Sequence, residues 1–270
     1  MSKSKGQPIV IENRPGAGVL LGSSFVAKAP ADGYTLLITT SAHSINQTLF
    51  RKLPYDSDRD LEPVAVLGKV SFVLLVNSKL EINDLPSFIE MLRKSPGKCN
   101  FASAGMGSLM HVGPELFKNL PSTEATHVPY KGETAALNDL LGGHMTFLYA
   151  SAAIAAPHIR AGTVRPLAVT SPRRSPLLPG VPTMAEAGLP TAKTHSWIVF
   201  MAPANTPREI IDLPSREAGK ALSNIEVLAR MAEFAFDVDT RLSSTETRDF
   251  IHAEALKWAP VVNASDVVAE

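Results

Sequence analysis

Residues 103–111 read SAGMGSLMH and lie between a short apolar segment, CNFA, and a segment of helical character, VGPELFKNL. A turn rich in Gly and Ser between a strand and a helix is typical of α/β folds. The start of a helix offers unpaired backbone N–H groups and a positive dipole end, and glycine lets a ligand approach the backbone closely. The stretch therefore predicts an anion site. It does not show whether the site holds a phosphate, the substrate of a nucleophilic serine or a carboxylate.

Specific motifs for nucleotides, serine hydrolysis and metals do not fit this stretch. A phosphate-binding loop needs a lysine after its glycine, but Gly107 is followed by Ser108 and Leu109. A dinucleotide fingerprint needs a third glycine where Met110 stands, and no serine has the flanking glycines of a hydrolase elbow. The seven histidines show no metal-ligand spacing. A neutral, hydroxyl-rich site for a small organic anion remains, with no metal or cofactor.

The composition describes an ordinary globular protein. The 270 residues carry a formal net charge of zero, which gives no basic footprint for nucleic acid. Cys99 is the only cysteine, so an internal disulfide is excluded, and we expect it to be buried in a strand. The longest apolar run, residues 70–76, is too short for a membrane helix, and residues 1–16 lack the apolar region of a signal peptide.

Strands alternate with helices along the chain, which predicts an α/β fold with parallel or mixed sheets. The first predicted strand is PIVIE at 8–12, and the clearest predicted helix is LPSFIEMLRK at 85–94, with Asp84 as its N-cap. Two extended segments, 99–103 and 196–202, have the character of crossings between two α/β blocks.

Small polar residues collect at the ends of four predicted strands. Open α/β sheets place their ligands at such ends, although small polar residues there are also good turn and cap formers. The four segments are 39–44, 103–108, 128–132 and 149–151.

Several motifs, in their order along the chain, resemble the Bug family, the extracytoplasmic solute receptors of tripartite tricarboxylate transporters. The resemblance runs from about residue 7 to the end. It is carried by VIENRPGAG, KAPADGYTLL, NFASAG, HVPYKGETAALNDLLGGH, PHIRAGTVRPLAVTSPRRSPLLPGVPTMAEAGLP and SWIVFMAPANTP.

The resemblance implies a periplasmic-binding-protein-like α/β fold of type II character, with two lobes joined by two crossover strands. We expect residues 1–98 and 199–270 to form the first lobe and residues 99–198 the second. Family members begin with a signal peptide, a strand, a ligand loop and a helix, and the N-terminal strand and helix of the first lobe are expected to be missing ahead of Gly6.

The resemblance also implies a function: binding a small di- or tricarboxylate, or a related organic acid, and delivering it to membrane transporter subunits. It implies no catalysis, no nucleic acid, a monomer and a periplasmic location, or a cytoplasmic one if Met1 is the true start. Its carboxylate contacts, largely backbone N–H groups, fall on Ser103, Ala104, Gly105, Gly107 and Ser108.

Further ligand contacts are implied on both lobes. Thr40 and Ser41 face the turn from the first lobe, and Tyr130 lies in the HVPYKG motif. Ala150 and Ser151 stand where the family often has Asp-Asn, so this chain lacks an acid there. Two alternatives stay open: an α/β enzyme acting on a carboxylate, with His111 or His43 as its base, and a truncated remnant that does not bind.

Overall fold

The computed structural model of the chain describes residues 6–14, 16–238 and 243–265. Its strands form two separate sheets, one of four strands and one of five. The strands are β1 (Leu37–Thr40), β2 (Leu61–Val70), β3 (Phe72–Asn77), β4 (Asn100–Ser103), β5 (Thr126–Pro129), β6 (Phe147–Ser151), β7 (Val164–Val169), β8 (Ser196–Pro203) and β9 (Phe236–Val238). The α-helices are α1 (Leu20–Ala27), α2 (Ala42–Leu49), α3 (Leu85–Lys94), α4 (Leu109–Glu115), α5 (Glu133–Gly142), α6 (Ala152–Arg160), α7 (Arg208–Leu222), α8 (Ile225–Glu233) and α9 (Ser244–Ala264).

The first sheet has the strand order β1-β8-β2-β9 and is antiparallel throughout. Its strands carry large apolar side chains on the face that the helices cover. Trp197 is fully buried there and meets the ring of Phe250, on α9, edge to face at 5.5 Å.

The second sheet has the order β5-β4-β6-β3-β7 and is mixed. β4 runs parallel to both of its neighbours, β5 and β6, whereas β3 is antiparallel to β6 and β7. Its core holds an aromatic cluster in which Phe88 contacts Phe147 at 5.0 Å and Phe117 at 5.4 Å between ring centroids.

Helix α3 confirms the helix predicted at 85–94. The Asp84 side chain accepts the Ser87 N–H at 2.8 Å, and the two residues form a reciprocal capping box. Leu85, Phe88 and Leu92 fall on one face of the helix and are buried in the core of the second sheet. A good cap and an apolar face at helical spacing therefore place α3 against this sheet.

Of the two predicted crossings between the sheets, the one at 99–103 is wrong and the one at 196–202 agrees with the structure. β2 belongs to the first sheet and β3 to the second, so the first crossing is at Ser71. β4, predicted as a crossing, lies inside the second sheet, and the chain returns to the first sheet at Ser196. The boundary predicted at residue 98 is thus corrected to Ser71, because an apolar run does not show which sheet it enters.

The two crossings lie side by side. Val70, the last residue of β2, pairs with Ser196, the first residue of β8. On the other side, Thr170 exchanges hydrogen bonds with the backbone of Phe72, and its carbonyl accepts the Thr194 N–H at 2.9 Å. The connection between the sheets is therefore a narrow pair of hydrogen-bonded segments.

The strand predicted at 8–12 is wrong. Residues 7–13 have no regular secondary structure, and the side chains of Ile9, Val10 and Ile11 are exposed. A short apolar run forms a strand only where it joins a sheet, and no strand is found over residues 7–13.

Cys99 is buried, as predicted, and unpaired. Across the ranges that the structure describes, none of the helices has both the length and the apolar character needed to span a membrane.

Candidate functional site

Three parallel strands of the second sheet end at one edge. Because β4 is parallel to β5 and β6, Ser103, Pro129 and Ser151 lie at the same end of the sheet. A helix begins just after each strand, with Ser108, Gly132 and Ser151 as the N-caps of α4, α5 and α6. None of these three caps makes a side-chain capping bond, so this edge presents helix N-termini that favour an anion.

The turn at 103–108 is held by its own hydrogen bonds. The Ser103 hydroxyl accepts the Gly105 N–H at 3.0 Å and lies 2.6 Å from His127 Nε2. The Ser108 hydroxyl donates to the Gly105 carbonyl at 2.7 Å. The backbone adopts positive φ at Gly105 (126°) and Gly107 (74°), which glycine allows without strain.

Hydrogen bonds inside the turn already use three of the backbone N–H groups that were predicted to bind a ligand. The N–H groups of Gly105, Gly107 and Ser108 are directed to Ser103 Oγ, His111 Nδ1 and the Gly105 carbonyl. The prediction that these three N–H groups point to a ligand therefore differs from the structure. Ala104, predicted with them, follows Ser103 at the edge and is half-buried.

Two histidines pack against the turn and stack on each other, a contact that the sequence did not predict. The rings of His111 and His127 stack at 4.0 Å between centroids. Burial, with a smaller contribution from the charges of His127 and Lys118, lowers the pKa of His111 to about 3. Burial likewise lowers the pKa of His127 to about 4. Both rings are neutral at pH 7, and neutral His111 accepts the Gly107 N–H through Nδ1 at 3.2 Å.

Because His111 is buried and neutral, we expect the free energy of unfolding to fall in mild acid. Since His111 has a folded-state pKa below its unfolded value of about 6.5, the unfolded chain binds the proton first as the pH drops. The stability that results from this difference in pKa is fully present above about pH 6.5 and is lost as the pH falls towards about 3. Between pH 7 and pH 5 we expect His111 to account for a loss of about 2 kcal/mol in unfolding free energy.

Urea unfolding of the parent and of His111→Gln at both pH values measures this loss. The glutamine keeps an acceptor for the Gly107 N–H but does not titrate. A pH dependence as steep in His111→Gln as in the parent would contradict the assignment.

Thr40 and Ser41, predicted to face the turn from the first lobe, lie at the end of β1. The Thr40 hydroxyl accepts the Ala42 N–H at 3.4 Å. The Ser41 hydroxyl lies 3.0 Å from that of Ser196, at the start of β8, and both serines are buried. The structure thus puts Ser41 at the crossing between the sheets.

Asn46, which was not among the predicted site residues, connects the first lobe to the turn. Its Nδ2 donates to the Gly18 carbonyl at 2.6 Å. A Cβ placed on Gly107 would lie 2.1 Å from Asn46 Oδ1 and 3.1 Å from Leu49. The two lobes therefore touch at Gly107. Asn46 lies one turn after Ala42 on the buried face of α2, which is the signal that could have identified it.

Tyr130 and Ala150 do not present their side chains as predicted. The Tyr130 hydroxyl donates to Asp139 Oδ2 at 2.5 Å, and this bond raises the pKa of Tyr130 to about 12. The Tyr130 N–H binds the Ser103 carbonyl at 3.0 Å, so the residue helps to hold the turn. Ala150, predicted as a ligand contact, is completely buried in β6 opposite Val73, so its side chain is not open to a ligand.

Ser151 lies at the edge, as predicted, and has an unforeseen partner. Glu133, the first residue of α5, accepts the Ser151 N–H at 2.5 Å and the Ser151 hydroxyl at 2.9 Å through Oε1. The available signal was an acidic residue directly after the motif VPYKG. An acid therefore stands near the position where the sequence analysis found one missing.

The histidines required by an enzymatic alternative are both buried. His111 and His43 are 0% and 1% exposed. Burial lowers the pKa of His43 to about 4, so it too is neutral at pH 7. In the described ranges, no group of three or more His, Cys, Asp or Glu side chains is arranged to hold a metal ion.

A family profile described as "Tripartite tricarboxylate transporter family receptor" matches residues 1–267. The chain belongs to this receptor family. Among its relatives, Protein BugT of Bordetella pertussis is 38% identical over 266 residues, which cover 97% of this chain and 81% of BugT. A UPF0065 protein from the tcbD-tcbE intergenic region of Pseudomonas sp. (strain P51) is 35% identical, with 97% and 78% covered.

Solved structures of similar proteins have the same receptor fold. Rpa4515 of R. palustris, solved with adipate, superposes with a TM-score of 0.92 at 33% identity, covering 99% of this chain and 89% of that one. MatC of Rhodopseudomonas palustris, solved with bound malate, gives 0.89 at 31% identity, covering 97% and 90%. The periplasmic binding protein BugD gives 0.91 at 26% identity, covering 100% and 90%. The periplasmic-binding-protein-like α/β fold predicted for this receptor is confirmed.

Proposed function

We propose that this receptor binds a small organic acid between its two sheets and delivers it to the membrane subunits of a tripartite tricarboxylate transporter. It works as a monomer in the periplasm and has no catalytic role. The observation that carries the proposal is the edge of the second sheet, where helices α4 and α5 begin beside small hydroxyl residues and the start of α6 holds the Glu133 carboxylate.

Two further observations support a carboxylate as the ligand. The residues predicted at the site, including Ser103, Ser108 and Ser151, are neutral, so backbone dipoles and hydroxyl groups supply the attraction. Two structural relatives were solved with carboxylates, adipate and malate. The lobes meet at Gly107, next to this edge, which suits a ligand enclosed on both sides.

A thermal melt with added carboxylates tests the proposal. A ligand at about 100 times its Kd adds about 2.7 kcal/mol of stability, and we expect the melting temperature to rise by about 5 °C for at least one acid. Adipate, malate, citrate and shorter mono- and dicarboxylates form the panel, and the matching neutral amides are the controls.

A cooperative melt that no carboxylate raises would contradict the proposal. Consumption of a bound acid during the incubation, followed by NMR, would instead favour the enzymatic alternative.

A further inference from the structure

The carboxylate of Glu133 occupies the N-terminus of helix α6. Its Oε1 accepts both the N–H and the hydroxyl of Ser151, the N-cap of α6, at 2.5 and 2.9 Å. An oxygen bound by a backbone N–H and a hydroxyl at a helix start is the contact expected for a bound anion. Here the anion belongs to the protein itself.

This contact lies beside the crossing between the sheets. Ser151 pairs with Phe72, the first residue of β3, and the Ala152 N–H donates to the Ser71 carbonyl at 3.3 Å. Glu133 also begins α5, which follows the end of β5 at the same edge as Ser103. The carboxylate is therefore at the predicted ligand edge, close to the crossing at Ser71.

The partners of the Glu133 carboxylate are the polar groups of Ser151. In the portion of the chain that the structure describes, no lysine or arginine forms an ion pair with Glu133. Lys131, two residues earlier, is exposed. Burial raises the pKa of Glu133, while the bonds from Ser151 oppose this shift. The hydrogen bonds from Ser151 offset only part of the cost of burying this one carboxylate. A second carboxylate beside it would add like-charge repulsion and is therefore disfavoured.

We infer that Glu133 determines the charge of the ligand: this receptor takes an acid with one carboxylate whose other end is a neutral hydrogen-bond donor or a cation. This inference rests on the proposed carboxylate binding. A second ligand carboxylate would meet the Glu133 carboxylate at a helix N-terminus that is already filled, without a cation between them. An amide, hydroxyl or ammonium group would instead donate to the free lone pairs of Glu133.

Two matched ligand series test the inference by isothermal titration calorimetry. The six-carbon series is adipate, its monoamide and 6-aminohexanoate, and the four-carbon series is succinate, succinamate and 4-aminobutyrate. With the parent chain, we expect the monoamide or the amino acid of at least one series to bind at least about tenfold more tightly than its dicarboxylate.

Glu133→Gln provides the matched variant. Its amide oxygen still accepts from Ser151, and only the charge is removed. We expect the preference to shrink by about tenfold, mainly because the dicarboxylate binds more tightly.

The outcomes separate the two proposals. A parent chain that binds a dicarboxylate as tightly as its monoamide and amino acid overturns the inference and leaves carboxylate binding intact. The inference is also overturned if the parent and a folded Glu133→Gln prefer the monoamide or amino acid over the dicarboxylate by the same factor. If neither chain binds any of the six acids while both melt cooperatively, the proposed function fails, and the inference fails with it.

Discussion

Replacing Gly107 with alanine is expected to weaken carboxylate binding by about tenfold to a hundredfold. A Cβ at this position would lie 2.1 Å from Asn46 Oδ1 and 3.1 Å from Leu49 Cδ2, and the backbone has a φ of 74°. The left-handed conformation costs alanine about 1 kcal/mol, and the overlap adds about 1–3 kcal/mol. Asn46 cannot turn aside freely because it is fully buried and its Nδ2 holds the Gly18 carbonyl.

The expected loss follows from where this contact lies. Gly107 belongs to the second lobe and Asn46 to the first, so the added methyl group pushes the lobes apart beside the ligand edge. Calorimetry with the acid that gives the largest thermal shift measures the effect. Gly180→Ala is the control, since its Cβ would meet nothing within 4 Å. Unchanged affinity in Gly107→Ala would show that close contact of the lobes at this point is not needed for binding.

Phe88→Ala is expected to lower the free energy of unfolding by about 3–5 kcal/mol. Phe88 is completely buried, and its ring meets those of Phe117 and Phe147 in the core of the second sheet. Truncation removes the buried surface and leaves a cavity, because the neighbouring rings are fixed by their own strands and helices.

Urea unfolding measures the change. Phe234→Ala serves as the control, because Phe234 is 56% exposed and a surface change there costs about 0.5 kcal/mol or less. A loss below about 1 kcal/mol in Phe88→Ala would contradict the described packing of the core.

Local patterns predicted the helices and strands best. The cap at Asp84 and the spacing of Leu85, Phe88 and Leu92 locate α3 correctly. The apolar runs before Ser103 and Ser151 form the parallel strands β4 and β6, and their polar ends lie at one edge. These features depend on residues close in sequence, where propensity and periodicity decide the structure.

The crossings and the partners within the site depend on distant residues. Ser71 divides one long extended run between two sheets, and both halves are apolar because both are buried. His111 and His127 stack only because α4 packs beside the parallel pair β4 and β5. Glu133 reaches Ser151 across 18 positions in the sequence. Such contacts follow from topology, which no local pattern contains.

The backbone N–H groups of the turn at 103–108 were predicted to be open to a ligand, and the structure differs from this for a related reason. Glycines in a strand-to-helix turn predict N–H groups open to an anion, but Ser103 and His111 supply acceptors inside the turn. The sequence shows that the residues are present and does not show that their side chains fold back. The turn is thus organised by its own side chains before a ligand arrives.

A crystal structure of the receptor with the acid that gives the largest thermal shift tests the central claim most directly. We expect the ligand carboxylate between the two sheets, at the edge formed by the ends of β4, β5 and β6 and in contact with the turn at 103–108. A carboxylate bound outside this cleft, or bound without contact to the turn or to the start of α5 or α6, would contradict the account.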